Sequence, residues 1–252
     1  MYDAYINLIK TQLQLQPQEW SFKSNKDYCQ ILEHVSYQQG LSYFNIIKSK
    51  HPIFYRKKKD ILINLCHEND IYGKTRKYLF DNFTECSPTN FRYILHSIII
   101  LKFIKKKKLQ NINFIEIGGG YGGLCFFIHR LSYLFNIKIN NYVIFDLLEV
   151  SKLQEKYLNC LKVNNITCCQ IDNFSDLHKN SFLISNYAFS EISKNLQVEY
   201  INKVIESHVT HGFLTWNFIP FYLFIKNSII EKEDEYPLTG NGNYYVKFYP
   251  KN

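Results

Sequence analysis

Residues 114–128 read FIEIGGGYGGLCFFI, and Gly118, Gly119, Gly120, Gly122 and Gly123 place five of the chain's ten glycines in one short turn. A short apolar run broken only by Glu116 precedes them, and a second apolar run follows. A strand that ends in such a turn and opens a helix lets backbone amides approach a ligand closely, and the helix N-terminus offers unpaired N–H groups to an anionic group. The glycines fit GxGxxG through Gly118, Gly120 and Gly123, and GxGxG through Gly118, Gly120 and Gly122. Spacing alone therefore leaves the ligand open.

Glu116 favours one ligand over the other. A dinucleotide sets its pyrophosphate over this turn, and an acid on the preceding strand opposes that charge, whereas the methionine part of S-adenosylmethionine carries an ammonium group that an acid attracts. Further along, NNYVIFDL (residues 140–147) puts Asp146 at the carboxyl edge of a second strand. Ligands of open α/β sheets bind at that edge, and a carboxylate there accepts hydrogen bonds from both ribose hydroxyls. Asp146 also suits a simpler duty as cap of a helix starting near Glu149.

Outward from the loop, short apolar runs alternate with helix-length periodic segments, the pattern of a mostly parallel α/β sheet. Strands are expected near residues 112–117, 141–145, 166–171, 182–188, 212–219 and 244–249, and helices over 121–135, 149–163, 195–207 and 221–232. Upstream, SPTNFRYILHSIIILKFIKKKK (residues 87–108) predicts a helix with Ser87 as N-cap and Pro88 at its first position. Before that, Tyr5, Leu8, Ile9, Leu13 and Leu15 form a helical stripe ahead of Pro17, and Tyr28, Ile31, Leu32 and Val35 form another ahead of Gly40. This N-terminal helical region, residues 1–74, holds too little apolar surface to stand alone and is expected to lie against the main domain, residues 75–252.

Composition bounds the rest. The 252 residues are 46% hydrophobic, enough for one sizeable core, and the net charge is +8. The run Lys105–Lys108 follows a predicted helix, where cations oppose the negative end of the dipole. No helix-turn-helix, RRM or zinc-finger pattern accompanies the charge, so a nucleic-acid partner is not expected. Seven cysteines without a CxxC pair, and no signal-peptide pattern at the start, predict reduced thiols and a cytoplasmic protein. The longest apolar stretch, residues 218–225, contains Pro220 and is far short of the roughly 20 residues that cross a bilayer, so no membrane partner is expected.

The chain resembles the class I S-adenosylmethionine-dependent methyltransferases, and within them a sugar O-methyltransferase family. The residues that carry the resemblance are FIEIGGGYGGL (114–124), YVIFDLLEVSKLQEKYL (142–158), LISNYAFSEIS (183–193), SPTNFRY (87–93) and EYPLTGNGNYYV (235–246). It covers roughly residues 70–252. The resemblance implies a Rossmann-like, seven-stranded, mostly parallel sheet with its last strand antiparallel, S-adenosylmethionine across the carboxyl edge, and the acceptor above the methyl group. The donor-binding residues it implies are Glu116, Gly118, Gly119, Gly120, Tyr121, Gly122, Asp146, Leu147, Asp172 and Asn186. In one departure, Leu147-Leu148-Glu149 stands where relatives often have a proline before the acid.

Methyl transfer from a sulfonium is an in-line displacement, so the protein must hold the acceptor oxygen near the methyl carbon and take its proton. Glu191 is the expected catalytic base, with Tyr187 and Ser190 binding the acceptor, a sugar that is nucleotide-linked or part of a glycan. No metal is expected: His208 and His211 form HxxH, but no carboxylate pattern completes a site, and they read as structural. Cys168 and Cys169 fall on a strand and do not resemble activated nucleophiles. Tyr121 either closes over the donor or packs on the sheet, while Trp216 and Asn217 read as core and edge residues. Two competing readings are an NAD-dependent oxidoreductase, disfavoured by Glu116 and by the long segment ahead of the loop, and an RNA-directed or non-catalytic protein with the same fold.

Overall fold

The computed structural model describes residues 2–32, 34–174 and 177–251. The N-terminal region is helical: α1 (Tyr2–Leu13), α2 (Lys26–Cys29), α3 (Tyr37–Lys50) and α4 (Pro52–Asn69). The second apolar stripe forms only the short α2, and residue 33 within it lies outside the described residues. Gly40 does not end a helix as expected but sits inside α3, where a methyl group on it would lie 2.6 Å from Cβ of Pro88. The close approach of two backbones, not a chain break, is what needs glycine there.

A two-stranded ribbon of β1 (Tyr78–Leu79) and β2 (Glu85–Cys86) leads into α5 (Thr89–Lys106). This helix starts one residue later than the sequence suggested: Pro88 occupies the N-cap, and Ser87 Oγ accepts from the Thr89 amide at 3.3 Å. From Thr89 to Ile104 nearly every α5 residue is buried, which places the helix at the centre of the molecule.

The main sheet follows as β3 (Asn111–Ile117), α6 (Gly123–Ser132), β4 (Lys138–Phe145), α7 (Leu148–Cys160), β5 (Ile166–Cys169), β6 (Ser181–Asn186), α8 (Ala188–Glu191), α9 (Lys194–Tyr200), a π-helical turn (Ile201–Ile205), α10 (Glu206–His208), β7 (Val209–Trp216), β8 (Ser228–Asp234) and β9 (Tyr244–Pro250). The strand order is β5-β4-β3-β6-β7-β9-β8. Strands β3 to β7 pair in parallel, and β9 runs antiparallel to both β7 and β8. This is the Rossmann-like seven-stranded mixed sheet that the resemblance implies, with its last strand reversed, where the apolar runs alone predicted six strands.

The helix expected over 221–232 does not form. Pro220 lies in an irregular connection, and from Ser228 the chain pairs residue by residue with β9, Ile229 opposite Tyr249 and Ile230 opposite Phe248. An antiparallel hairpin needs no helical crossover, which is why the pattern changes here.

Two apolar clusters fill the two faces of the sheet. The larger joins Tyr5, Trp20, Tyr28, Tyr43 and Phe44 of the N-terminal region to α5, α6 and α7, so those helices share the main core. The smaller lies on the opposite face around Ile115, Phe189 and Trp216. No helix among the described residues is long and apolar enough to cross a membrane.

Candidate functional site

Strand β3 pairs with β4 on one side and β6 on the other, so the strand order reverses at its carboxyl end. Open α/β sheets bind their ligands at such a reversal. The glycine turn sits there, with Gly118, Gly120 and Gly122 at φ of 75°, 60° and 92°, a region that side chains other than glycine's rarely enter. Gly122 caps α6, and its amide closes the turn on the Gly119 carbonyl at 2.9 Å. The turn is wedged on every side. A methyl group on Gly118 would lie 2.2 Å from Ala188 Cβ, and one on Gly119 would lie 2.5 Å from Ile144. Leu32 of the N-terminal region rests 3.4 Å from where a Gly120 methyl would be.

Glu116 supports this turn from below. It is 1% exposed, it accepts a 2.8 Å hydrogen bond from the Tyr142 hydroxyl, and its carboxyl lies 3.4 Å from the place of a Gly119 Cβ. Burial pushes its pKa up to about 7, with the Tyr142 bond opposing and the Asp146 charge adding. Asp146, half-buried at the end of β4, ties the second strand to the loop. Its Oδ1 accepts from the Leu147 amide at 2.9 Å and its Oδ2 from Gln154 Nε2 at 2.9 Å, while the same Gln154 nitrogen donates to the Gly120 carbonyl at 2.8 Å. Burial raises the Asp146 carboxyl to about 6 against these donors and the amides of Gly120 and Gly119. Leu147 beside it is 39% exposed, an apolar surface at the open edge.

Other expected site residues take varied places. Tyr121 keeps its backbone in the turn but sends its ring into the core, 5.0 Å from the Tyr157 ring and under the buried Lys23 ammonium at 4.1 Å. Asp172 is exposed and bonds Lys203 at 2.6 Å, and the Tyr200 phenol is pushed up by burial first and then by the charges of Asp146 and, more weakly, Asp172. Asn186 accepts from Thr215 Oγ1 at 2.9 Å. Ser190 turns its hydroxyl onto the Tyr187 carbonyl at 2.7 Å. Glu191 is exposed at the end of α8 and accepts from Asn217 Nδ2 at 3.3 Å. His208 and His211 belong to no group of metal ligands among the described residues.

A buried polar cluster that the sequence did not single out lies beside Tyr187. The Tyr187 hydroxyl donates to Glu235 Oε1 and lies 2.8 Å from Thr239 Oγ1. Arg92 and His96 approach from α5, Tyr43 from α3 and Tyr245 from β9. Burial and then Arg92 push the His96 imidazole down to about 3, so it is neutral near pH 7. Burial, with Tyr43 and Glu235, drives the Tyr187 phenol far up, so it keeps its proton. Nothing in the sequence ties Glu235 to a tyrosine 48 positions earlier. Glu235 does open the segment EYPLTGNGNYYV (235–246), one of those that carry the resemblance.

No family model and no curated protein matches the chain. Among solved structures, it is similar to the mitomycin 7-O-methyltransferase MmcR at 8% identity and a TM-score of 0.44, covering 66% of this chain and 56% of that one. It is also similar to MtNAS, solved in complex with MTA and tNA, at 12% identity and a TM-score of 0.43, covering 100% and 99%. A third, an S-adenosylmethionine-dependent methyltransferase from Clostridium acetobutylicum, has 15% identity, a TM-score of 0.38 and coverage of 62% and 67%. The chain thus spans little more than half the length of MmcR.

Proposed function

We propose that this chain is an S-adenosylmethionine-dependent O-methyltransferase whose acceptor is a hydroxyl of a sugar, nucleotide-linked or within a glycan. The observation that carries the reading is the coupling of three left-handed glycines at the strand-order reversal to an acid at the end of the neighbouring strand. That arrangement fits a nucleoside whose ribose hydroxyls meet Asp146 and whose adjoining groups meet the loop amides. Glu116 under the loop adds negative charge as its proton leaves, which disfavours a pyrophosphate and favours an ammonium group.

When bound, the donor supplies an electrophilic methyl group on a sulfonium. The chain's own work is then to hold and to deprotonate. Gly118 and Gly120 hold the left-handed turn that presents the loop amides, Asp146 orients the ribose, and Leu147 offers an apolar flank. A hydroxyl acceptor loses its proton as its new bond forms, and two carboxylates lie beside β6 to receive it, Glu191 and Glu235.

Thermal unfolding tests the reading. A ligand present at a hundred times its Kd stabilises by about 2.7 kcal/mol. S-adenosylhomocysteine is expected to raise the midpoint and NAD to leave it unchanged; the reverse result refutes the donor. Mass spectrometry of nucleotide-linked hexoses incubated with S-adenosylmethionine then tests the acceptor class through a gain of one methyl group.

A further inference from the structure

Tyr187 stands at the carboxyl end of β6 with φ 63° and ψ −37°, a conformation that a bulky residue adopts only when its surroundings impose it. Its amide donates to the Thr215 carbonyl at 2.8 Å, and its own carbonyl accepts from the Ser190 amide at 2.9 Å and the Ser190 hydroxyl at 2.7 Å. Ala188, the next residue, is the one against which Gly118 packs, so this strained position adjoins the glycine loop directly. The Tyr187 side chain is half-buried, and its phenol donates to Glu235.

Glu235 is 2% exposed and is held by neutral donors. Its Oε2 accepts from the Thr239 amide at 3.0 Å, the Thr239 hydroxyl at 2.7 Å and Asn243 Nδ2 at 3.3 Å, which leaves Oε1 facing the Tyr187 phenol. Among the described residues no cation forms an ion pair with it. Tyr43 is fully buried in the same cluster, and its hydroxyl has no hydrogen-bond partner among the described residues. Glu191, in contrast, faces solvent.

We propose, on the methyl-transfer reading above, that Tyr187 and Glu235 together accept the proton of the acceptor hydroxyl. The acceptor oxygen bonds to the methyl carbon as the carbon–sulfur bond breaks, and that electron pair stays on sulfur and discharges its positive charge. The acceptor's proton passes to the Tyr187 oxygen while Tyr187's own proton passes to Glu235. Thr239 and Asn243 fix the carboxylate for this exchange, and the high proton affinity of the phenol keeps the relay loaded until the acceptor arrives.

The test compares wild type with Glu235→Gln, Glu235→Asp and Tyr187→Phe, using methyl-labelled S-adenosylmethionine and a panel of uridine- and thymidine-diphosphate hexoses. Glu235→Gln and Tyr187→Phe are expected to bind S-adenosylhomocysteine within about threefold of wild type by calorimetry while label transfer at saturating hexose falls about 10²- to 10⁴-fold. Glu235→Asp, which keeps a carboxylate, is expected to recover about tenfold or more over the Gln variant. The hexose that takes label should also stabilise S-adenosylhomocysteine-bound wild type against heat, and do so less in Tyr187→Phe. Turnover by Glu235→Gln within about tenfold of wild type overturns the pair. So does loss of transfer in Glu191→Gln where Glu235→Gln keeps it. If Glu235→Gln fails to fold, Tyr187→Phe decides alone, and near-normal turnover there overturns the relay. A wild type that binds no S-adenosylhomocysteine refutes the donor reading, and one that binds it but labels no hexose refutes the sugar acceptor; either result takes the pair with it, and both differ from failure of the pair, in which wild type is active.

Discussion

Glu116 shows how much one buried group sets. Its carboxyl, ordinarily near 4.5, is raised to about 7 because burial penalises the charge more than the Tyr142 hydroxyl relieves it. A carboxyl raised on folding contributes stability that is complete below about 4.5 and lost as pH climbs through about 7, a displacement of about 3 kcal/mol. Glu116→Gln should therefore match wild type near pH 4 and exceed it near pH 8 by up to that amount; equal denaturation midpoints at both pH values would refute the assignment. Asp146 is the second residue with a measurable share. Its replacement by Ala removes the proposed ribose acceptor and should weaken S-adenosylhomocysteine by about 1.5–3 kcal/mol in calorimetry, with a 2′-deoxy analogue losing little more on the variant. Gly120→Val puts a β-branched side chain at φ 60° against Leu32, so donor binding should disappear while the protein stays folded by circular dichroism.

Among the elements, α3 and α5 meet at Gly40 and Pro88. Gly40→Ala would ordinarily gain about 1 kcal/mol in a helix interior. Here the added methyl would sit 2.6 Å from Pro88 Cβ and 2.9 Å from its Cα, so overpacking of about 1–3 kcal/mol outweighs the gain. The variant should unfold at lower denaturant than wild type; a rise would mean that α3 slides freely on α5. The β8–β9 hairpin carries a different lesson. Apolar residues at 221–225 and 229–230 looked helical in sequence, yet Ile230 is spent on Phe248 across the ladder and the preceding residues pack irregularly around Trp216. A short apolar run does not separate the two states, and the long-range partner decided. The connection between β8 and β9 also brings Glu235 to Tyr187.

In the whole molecule, the N-terminal helices and the sheet share one apolar cluster, and Lys23, buried there, donates to the Asn69 carbonyl at 2.6 Å and the Tyr157 hydroxyl at 2.9 Å. Leu32 reaches from the same region onto the glycine loop. Removing residues 1–74 would strip the cover from α5, nearly all of which is buried. The full chain is expected to unfold in one cooperative calorimetric transition and residues 75–252 alone to show none; an independent transition in the truncated chain would make the N-terminal region a separate unit.

The sequence by itself determined what local chemistry can specify: a glycine turn that only glycine's backbone freedom permits, an acid ahead of it, strands and helices in alternation, and hence a parallel sheet with Gly118 and Asp146 at its carboxyl edge. Those features are written in neighbouring residues, where pattern and cause coincide. Tertiary structure alone decided which groups meet. It buried Glu116 against Tyr142, turned Tyr121 into the core, left Glu191 in solvent and set Glu235 on Tyr187. Each of these outcomes depends on side chains far apart in the chain, brought together by burial of a shared core whose partners no local spacing encodes.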